Sequence, residues 1–419
     1  MEEVTSSVLS PRRPRPPRIL RERTGGTPRN LTLALIALAL GGFAIGTTEY
    51  VTMGLLPEIA AGIGVSIPSA GHVISAYAVG VVVGAPLIVS LTARLPKHAL
   101  AIGLVAALAL GNMLTAVAPT YETLLGARFL AGLPHGAYFG VASLIAASMV
   151  SPQRRGRAVA SVMLGLAAAN LVGVPASTFL GQQLGWRSAY WVVVGLAVVT
   201  MGFIGAFVPQ QQRDTSATVR RELRALRQPQ VLLTAGVGAI GFGGLFAVYS
   251  YIAPITTDVS NLSASFVPWV LLVYGIGSIL GTALGGRLAD HSLFAWLCTM
   301  LVAMAALLAL FAVTAQHGAL LLIGVLLLST AASALGLLLQ MRLMHVAGSA
   351  KMLGAALNHS ALNAANALGA WLGGLVIAAG FGYIATAWVG VGLSFAGLAI
   401  LVASAWLYRG ERLALSLSH

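Results

Sequence analysis

The chain has 419 residues, of which 58% are hydrophobic and only 8% are charged. A soluble protein of this length carries about a quarter charged residues, so the composition excludes a water-facing globular enzyme. The formal net charge of +13 would fit a nucleic-acid-binding protein. However, the basic residues lie between long apolar runs rather than on one module, which argues against that class.

The first 30 residues form a polar segment with seven arginines, and five prolines lie between Pro11 and Pro28. This composition predicts a disordered cytoplasmic tail. The apolar run that follows is too long for the hydrophobic region of a secretory signal. It also lacks a clear cleavage site and precedes many similar runs, so we expect a membrane span.

Apolar runs of about 20 residues, the length that crosses ~30 Å of hydrocarbon, recur along the whole chain. They predict twelve transmembrane helices, which we number spans 1–12 in chain order. The predicted bounds are 31–56, 68–91, 99–118, 121–150, 157–184, 188–208, 231–255, 267–289, 293–315, 319–344, 352–379 and 383–407.

The longest interior polar stretch, residues 209–230, falls at the midpoint of the chain. We therefore expect an all-α membrane protein with two six-helix bundles, at residues 31–208 and 231–408. Residues 1–30 and 409–419 would be tails and residues 209–230 a cytoplasmic linker. Alternating apolar and basic residues predict a short surface helix at 219–227.

The loops fix the predicted orientation, because lysine and arginine are enriched on the cytoplasmic side. Alternate connections and the two tails hold 22 of the 24 basic residues. The exceptions are Arg128, inside span 4, and Arg187, between spans 5 and 6. This asymmetry predicts an even number of spans with both termini in the cytoplasm.

Two charged residues, Glu49 in span 1 and Arg128 in span 4, lie deep within predicted spans. A charge at that depth is costly unless it is paired or hydrated, and it marks a functional site by default. Span 1 runs outward and span 4 inward, so both residues lie ~10 Å from the outer side at 1.5 Å per residue. We expect them to meet. One interpretation is proton coupling, in which a proton, Arg128 and a substrate compete for Glu49. The alternative is a fixed ion pair that locks spans 1 and 4.

His135 follows Arg128 by seven residues and shares one helical face with Gly132 and Arg128. Histidine changes charge in the physiological pH range, which favours a role in proton coupling. A structural role is the alternative, in which Pro134 frees a backbone carbonyl that His135 satisfies.

Span 11 carries a polar stripe, because His359, Asn363 and Asn366 follow i, i+4, i+7 spacing. The stripe lines a substrate cavity or forms interhelical hydrogen bonds, and the pattern does not separate the two. The same alternatives apply to Asn170 in span 5 and to Asn112 in span 3, where packing is favoured. Near the outer end of span 7, Tyr249 is a candidate substrate contact. Tyr251 fits better as a tyrosine of the membrane interface.

Local motifs add a resemblance to a known family. Span 8 ends with Gly285-Gly286-Arg287-Leu288-Ala289-Asp290, and the matching stretch after span 2 is Leu91-Thr92-Ala93-Arg94-Leu95-Pro96-Lys97. Both resemble the signature of the major facilitator superfamily, although Ala93 replaces the usual Asp and His291 the usual Arg. The resemblance implies a cytoplasmic gate built from Arg94, Arg287 and Asp290. The alternative is that these are turn residues at helix ends.

Spans 4, 5 and 1 strengthen the resemblance. Arg128 is followed four residues later by Gly132, as in a superfamily motif of span 4. Span 5 is similar to the Gly/Pro-rich antiporter motif of exporters, which implies helix packing by Gly165, Gly173, Pro175 and Gly181; Val174 replaces one usual glycine. The stretch 46–57 resembles the twelve-helix drug:proton antiporter branch, in particular arabinose-efflux-like and chloramphenicol-resistance-like permeases.

These features together predict a secondary transporter of a bacterial inner membrane, not an enzyme. We expect it to export a small amphipathic or hydrophobic compound, such as a drug, in exchange for protons. It would act as a monomer driven by the proton gradient, without cofactor, metal or nucleic acid. ATP-driven transport is disfavoured because no Gly-rich loop ends in Gly-Lys-Ser/Thr. A sugar or metabolite exporter is one alternative, and a non-transporting receptor or intramembrane enzyme is another.

Overall fold

The computed structural model describes residues 30–92, 95–210, 228–289, 292–348 and 351–417. Almost all of the predicted N-terminal tail and the predicted linker helix lie outside these ranges. Within them, twelve helices are long and apolar enough to cross a membrane, which confirms the predicted number. Their bounds are Leu31–Gly54, Ile67–Ile88, Lys97–Val117, Tyr121–Ser148, Pro152–Leu184, Arg187–Phe207, Pro229–Tyr249, Ala264–Ala289, Leu293–Thr314, Gly318–Val346, Leu357–Ala378 and Ala385–Leu407.

The helices form two bundles with the same internal packing. In the first bundle the adjoining pairs are spans 1 and 5, 2 and 4, 3 and 4, 3 and 6, and 1 and 6. In the second they are spans 7 and 11, 8 and 10, 9 and 10, 9 and 12, and 7 and 12. Each pair in one bundle therefore recurs six spans later in the other. This correspondence is the packing expected of an internal structural repeat.

The two bundles contact each other in two places, where span 2 packs against span 11 and where span 5 packs against span 8. Replacing each span of one contact by its counterpart in the other bundle gives the other contact. At the predicted outer end, the Gln182 side chain donates to the Ala264 carbonyl at 2.9 Å. The Ser75 hydroxyl donates to the Ala367 carbonyl at 3.1 Å. The two halves therefore touch on the side that the loop charges assign to the exterior. Here and below, outer and cytoplasmic follow that predicted orientation.

Close approach of spans 2 and 4 sets the position of the buried polar groups. A side chain at Gly132 would collide with the Tyr77 carbonyl, and one at Gly80 would collide with the Phe129 carbonyl. Small residues permit such contacts between helices in lipid, where no hydrophobic force joins them. The glycines thus bring Tyr77 close to the part of span 4 that carries Arg128 and His135.

Span 5 is interrupted by a π-helical turn, Ala169–Gly173, in which the Val174 amide donates to the Ala169 carbonyl. Pro175 follows directly and lacks the amide hydrogen that an α-helix needs at that position. Single π turns of this kind often occur at functional sites. Gly165 and Gly173 pack on span 1 and Gly181 packs on Leu55 just beyond it, so these three glycines lie at a helix contact.

Candidate functional site

Arg128 is fully buried and is held by span 1. Its two terminal nitrogens donate to the Thr48 hydroxyl at 2.9 Å and to the Thr48 carbonyl at 3.1 Å. The Thr48 hydroxyl in turn donates to the Asn112 side-chain oxygen at 2.5 Å. The Asn112 amide donates to the Leu108 carbonyl of its own helix at 2.8 Å. One buried network therefore joins spans 1, 3 and 4, and Asn112 has the packing role that the sequence favoured.

Aromatic rings surround the guanidinium group of Arg128. Its central carbon lies 4.3 Å from the centre of the Tyr77 ring and 5.4 Å from that of Tyr190. The Tyr190 hydroxyl is 2.8 Å from the Thr52 hydroxyl. A cation held over aromatic faces away from water gains substantial stabilisation. The two terminal nitrogens of Arg128 are thus hydrogen-bonded and the guanidinium lies over the rings, whereas its Nε atom is buried without a partner among the described residues.

Glu49 is nearly buried, with 4% of its surface exposed, and it is adjacent to Thr48 in the chain. Arg128 bonds to Thr48, the residue before Glu49, so the two charged residues lie in the same region of the first bundle, and their direct meeting stays a prediction. No ion pair of 4 Å or less joins them, however, and both lie within the described ranges. The alternative of a fixed ion pair is therefore wrong: Thr48, not Glu49, locks Arg128 to span 1.

A cluster of aromatic rings from both halves lies next to Glu49. We define the aromatic cluster as Tyr50, Phe246, Tyr249 and Tyr274. Tyr50 stacks on Phe246 at 6.5 Å and meets the edge of Tyr249 at 5.9 Å, and Tyr249 stacks on Tyr274 at 3.9 Å. Tyr50, the residue after Glu49, therefore lies where span 1 meets spans 7 and 8.

His135 and His359, on different halves, lie together. The Nδ1 atom of His135 is 3.1 Å from the Tyr77 hydroxyl, so its partner is Tyr77 rather than a carbonyl freed by Pro134, and both a structural role and proton coupling stay open. The centres of the two imidazole rings are 6.5 Å apart, and Phe139 stacks on His359 at 5.3 Å. A buried row of polar groups thus runs from Arg128 through Tyr77 and His135 to span 11.

The polar stripe of span 11 continues toward the predicted outer side. The Asn363 amide donates to the His359 carbonyl of its own helix at 3.1 Å. The Asn363 oxygen and both amide atoms of Asn366 are buried without a hydrogen-bond partner among the described residues. The stripe therefore forms none of the interhelical hydrogen bonds that one interpretation required. Unpaired buried amides are costly, but Asn366 has no exposed surface, so the interpretation as a cavity lining stays a prediction.

The other candidates fall in different places. Asn170 lies in the π turn of span 5, with its side-chain oxygen buried and unpaired within the described ranges, and its backbone carbonyl packs against Gly275 of span 8. Tyr251 is fully buried and donates to the Ala370 carbonyl at 2.7 Å, so its predicted place at the membrane interface is wrong.

Of the predicted cytoplasmic gate, Arg287 is exposed in the last turn of span 8. The predicted gate partners Arg94 and Asp290 lie outside the described residues.

The sequence did not identify Thr48, Tyr77 and Tyr274 as site residues, although the depth of Tyr77 within span 2 indicated a buried role. Tyrosines of the membrane interface lie at span ends, whereas Tyr77 lies nine residues inside predicted span 2. A tyrosine at that depth needs a buried partner for its hydroxyl, and here the partner is His135. No group of three or more metal-ligating side chains occurs in the part of the chain that the structure describes.

The sequence matches a family model described as Major Facilitator Superfamily over residues 38–355. The inner membrane transport protein YdhP of Escherichia coli is 43% identical over 371 residues, which cover 88% of this chain and 94% of that protein. The putative transporter AraJ of the same species is 32% identical and covers the same shares. A chloramphenicol resistance protein of Streptomyces lividans is 33% identical over 62% of this chain and 68% of its own length.

Among solved structures, that of the nucleoside transporter NupG matches with a TM-score of 0.70 at 15% identity. The match covers 90% of this chain and all of that one. At this identity the similarity shows the fold alone, and it confirms the predicted architecture. The relatives confirm the predicted branch and the predicted location, a multi-pass protein of a bacterial inner membrane.

Proposed function

Since this chain belongs to the Major Facilitator Superfamily, whose matched relatives are transporters, we propose that it exports a small amphipathic or hydrophobic compound by proton antiport. The two six-helix halves would rock about the buried site, which would open alternately to each side. The observation that carries the proposal is Glu49, a buried carboxyl beside a cation that other residues already hold.

The proton-coupling part of the proposal rests on the fact that residues other than Glu49 hold Arg128. Thr48 and the two tyrosine rings hold Arg128 in place, so the positive charge stays fixed beside Glu49. Glu49 then exchanges a proton while the anchor remains intact. Intramembrane carboxyl groups are common members of proton relays in transporters. His135 and His359 extend the row of polar groups across the contact between the halves and would serve the same path.

The substrate part rests on the aromatic cluster and on the stripe of span 11. Stacked rings at Glu49 offer a largely apolar surface, and the unpaired amides of Asn363 and Asn366 offer a few hydrogen-bonding groups. Binding sites for small organic compounds combine these two features. The proposed cavity is formed by the aromatic cluster, which includes Tyr249, together with the amides of Asn363 and Asn366 and the side chains of Asn170 and His359. The buried amides would equally serve a sugar or another neutral metabolite, which is the second candidate.

Transport by the purified protein in liposomes tests the proposal. An imposed proton gradient should drive uptake of a panel compound, and the compound should in turn move protons that a trapped pH-sensitive dye detects. Glu49→Gln should abolish both fluxes and leave the protein folded. The matched control is Glu122→Gln, because Glu122 is exposed at the start of span 4 and its change should leave transport intact.

Three outcomes would contradict the proposal in different ways. Normal proton-driven transport by Glu49→Gln would remove Glu49 from the coupling step. Ligand binding without any flux in the unmodified protein would favour the non-transporting receptor. Uptake of sugars but not of aromatic or amphipathic compounds would favour the second candidate substrate class.

A further inference from the structure

A groove lies between spans 1 and 5, away from the buried polar row. Its volume is about 440 Å³, and it is lined by six residues of span 1, from Thr32 to Phe43, and four of span 5, from Ser161 to Ala168. Thr32 and Ser161 are the polar lining residues, and the other eight are apolar. The volume is that of a small-molecule site, but the lining offers almost no hydrogen-bonding groups.

The groove is open to the surroundings of the helix bundle rather than to its centre. Two of its lining side chains, Leu164 and Ile36, are 65% and 44% exposed, and on membrane-spanning helices such exposed apolar side chains face lipid. From Thr32 to Phe43 the groove follows eleven residues of span 1, a rise of ~16 Å at 1.5 Å per residue. That rise matches the hydrocarbon depth of one leaflet, half of the ~30 Å core.

The two ends of the groove differ in polarity. Spans 1 and 5 run in parallel, since Ala39 packs beside Gly165 and Phe43 beside Gly173. Thr32 and Ser161 therefore mark the same, cytoplasmic end of the groove. Arg157 precedes Ser161 by four residues in the same α-helix, which places both on one helical face. Arg154 is the last residue of the short 3-10 helix that leads into this α-helix.

Both arginines are exposed, and the Ser161 hydroxyl donates to the Arg157 carbonyl at 3.0 Å. Basic residues beside a groove between spans on the cytoplasmic side attract anionic lipid headgroups. An apolar channel of leaflet depth, with two cations at its mouth, is complementary to a long hydrocarbon chain attached to an anionic headgroup. In a bilayer, anionic phospholipids have this combination.

We propose that this groove binds an anionic phospholipid of the cytoplasmic leaflet. One acyl chain lies along the groove from its mouth to Phe43, and the phosphate-containing headgroup meets Arg154 and Arg157. The inference does not depend on the proposed transport function, because none of these residues belongs to the polar row or the aromatic cluster.

Native mass spectrometry of the purified full chain tests this proposal, with phosphatidylglycerol and phosphatidylethanolamine of identical acyl chains as probes. The unmodified protein should retain one phosphatidylglycerol in preference to phosphatidylethanolamine. Removing both arginines, in Arg154→Gln with Arg157→Gln, should weaken retention of phosphatidylglycerol about thirtyfold, at about fivefold for each charge. Ala168→Phe, which fills the groove, should weaken retention of both lipids.

Two matched controls separate the groove from general effects of charge and bulk. Arg155→Gln removes an equally exposed charge that lies off the groove face, and Ala106→Phe adds a ring at an exposed position of span 3. Both variants should retain phosphatidylglycerol as the unmodified protein does. Equal retention of the two lipids by the unmodified protein would overturn the proposal. So would an Arg155→Gln effect as large as that of the double variant, or unchanged retention in both the double variant and Ala168→Phe.

Discussion

Arg128→Lys tests whether the geometry around Arg128, rather than its charge, holds spans 1, 3 and 4 together. The guanidinium group forms two hydrogen bonds with Thr48 and lies over the Tyr77 and Tyr190 rings. Lysine keeps the charge, but its compact ammonium cannot span both oxygens of Thr48 and stack on the rings.

The expected loss of stability follows from these contacts. A hydrogen bond from a charged donor contributes roughly 1.5–3 kcal/mol, and a desolvated cation–π contact about 1–2 kcal/mol. Lysine retains one hydrogen bond and part of the ring contact. Interhelical hydrogen bonds in bilayers are also weaker on average than this range. We therefore expect Arg128→Lys to lower the free energy of unfolding by about 2 kcal/mol.

Reversible unfolding in mixed micelles, followed by the circular dichroism of the helices, measures this change. Arg187→Lys is the matched control, because Arg187 donates one bond to the Ala118 carbonyl at 2.9 Å and lies 4.3 Å from the Trp186 ring. Arg187 is only half-buried, so its replacement should cost below about 1 kcal/mol. Equal losses in the two variants would refute the reasoning, because burial would then contribute nothing.

Two further predictions concern spans 8 and 11. Gly281→Ala should destabilise the protein by about 1–3 kcal/mol, because the added carbon would collide with the Thr330 carbonyl of span 10. The control is Gly286→Ala, where the nearest atom is 4.0 Å away, and this variant should be neutral in the same unfolding assay. Asn366→Leu should leave the unfolding free energy unchanged or raise it, because it removes an unpaired buried amide. The same variant should reduce transport of compounds with hydrogen-bonding groups in the liposome assay, and a loss of stability together with unchanged transport would show that Asn366 only packs.

The sequence alone determined the architecture and one part of the site. Twelve spans, their division into two sets of six and the family follow from hydropathy, spacing and motifs, because helix length in a bilayer is set by its thickness. Glu49 and Arg128 could be identified as candidate site residues from the sequence, since charged residues are rare within membrane spans. Their matched depths predicted that they meet, and Arg128 bonds to Thr48, the residue before Glu49.

Only the tertiary structure decided what each of these residues contacts. Depth along a span is a one-dimensional quantity, whereas a hydrogen bond depends on the rotation of each helix about its axis. Thr48 rather than Glu49 therefore emerged as the partner of Arg128, and Tyr77 as the partner of His135. The meeting of His135 with His359 joins residues more than 200 positions apart. Packing of the two halves creates that contact, and no local pattern in the chain encodes it.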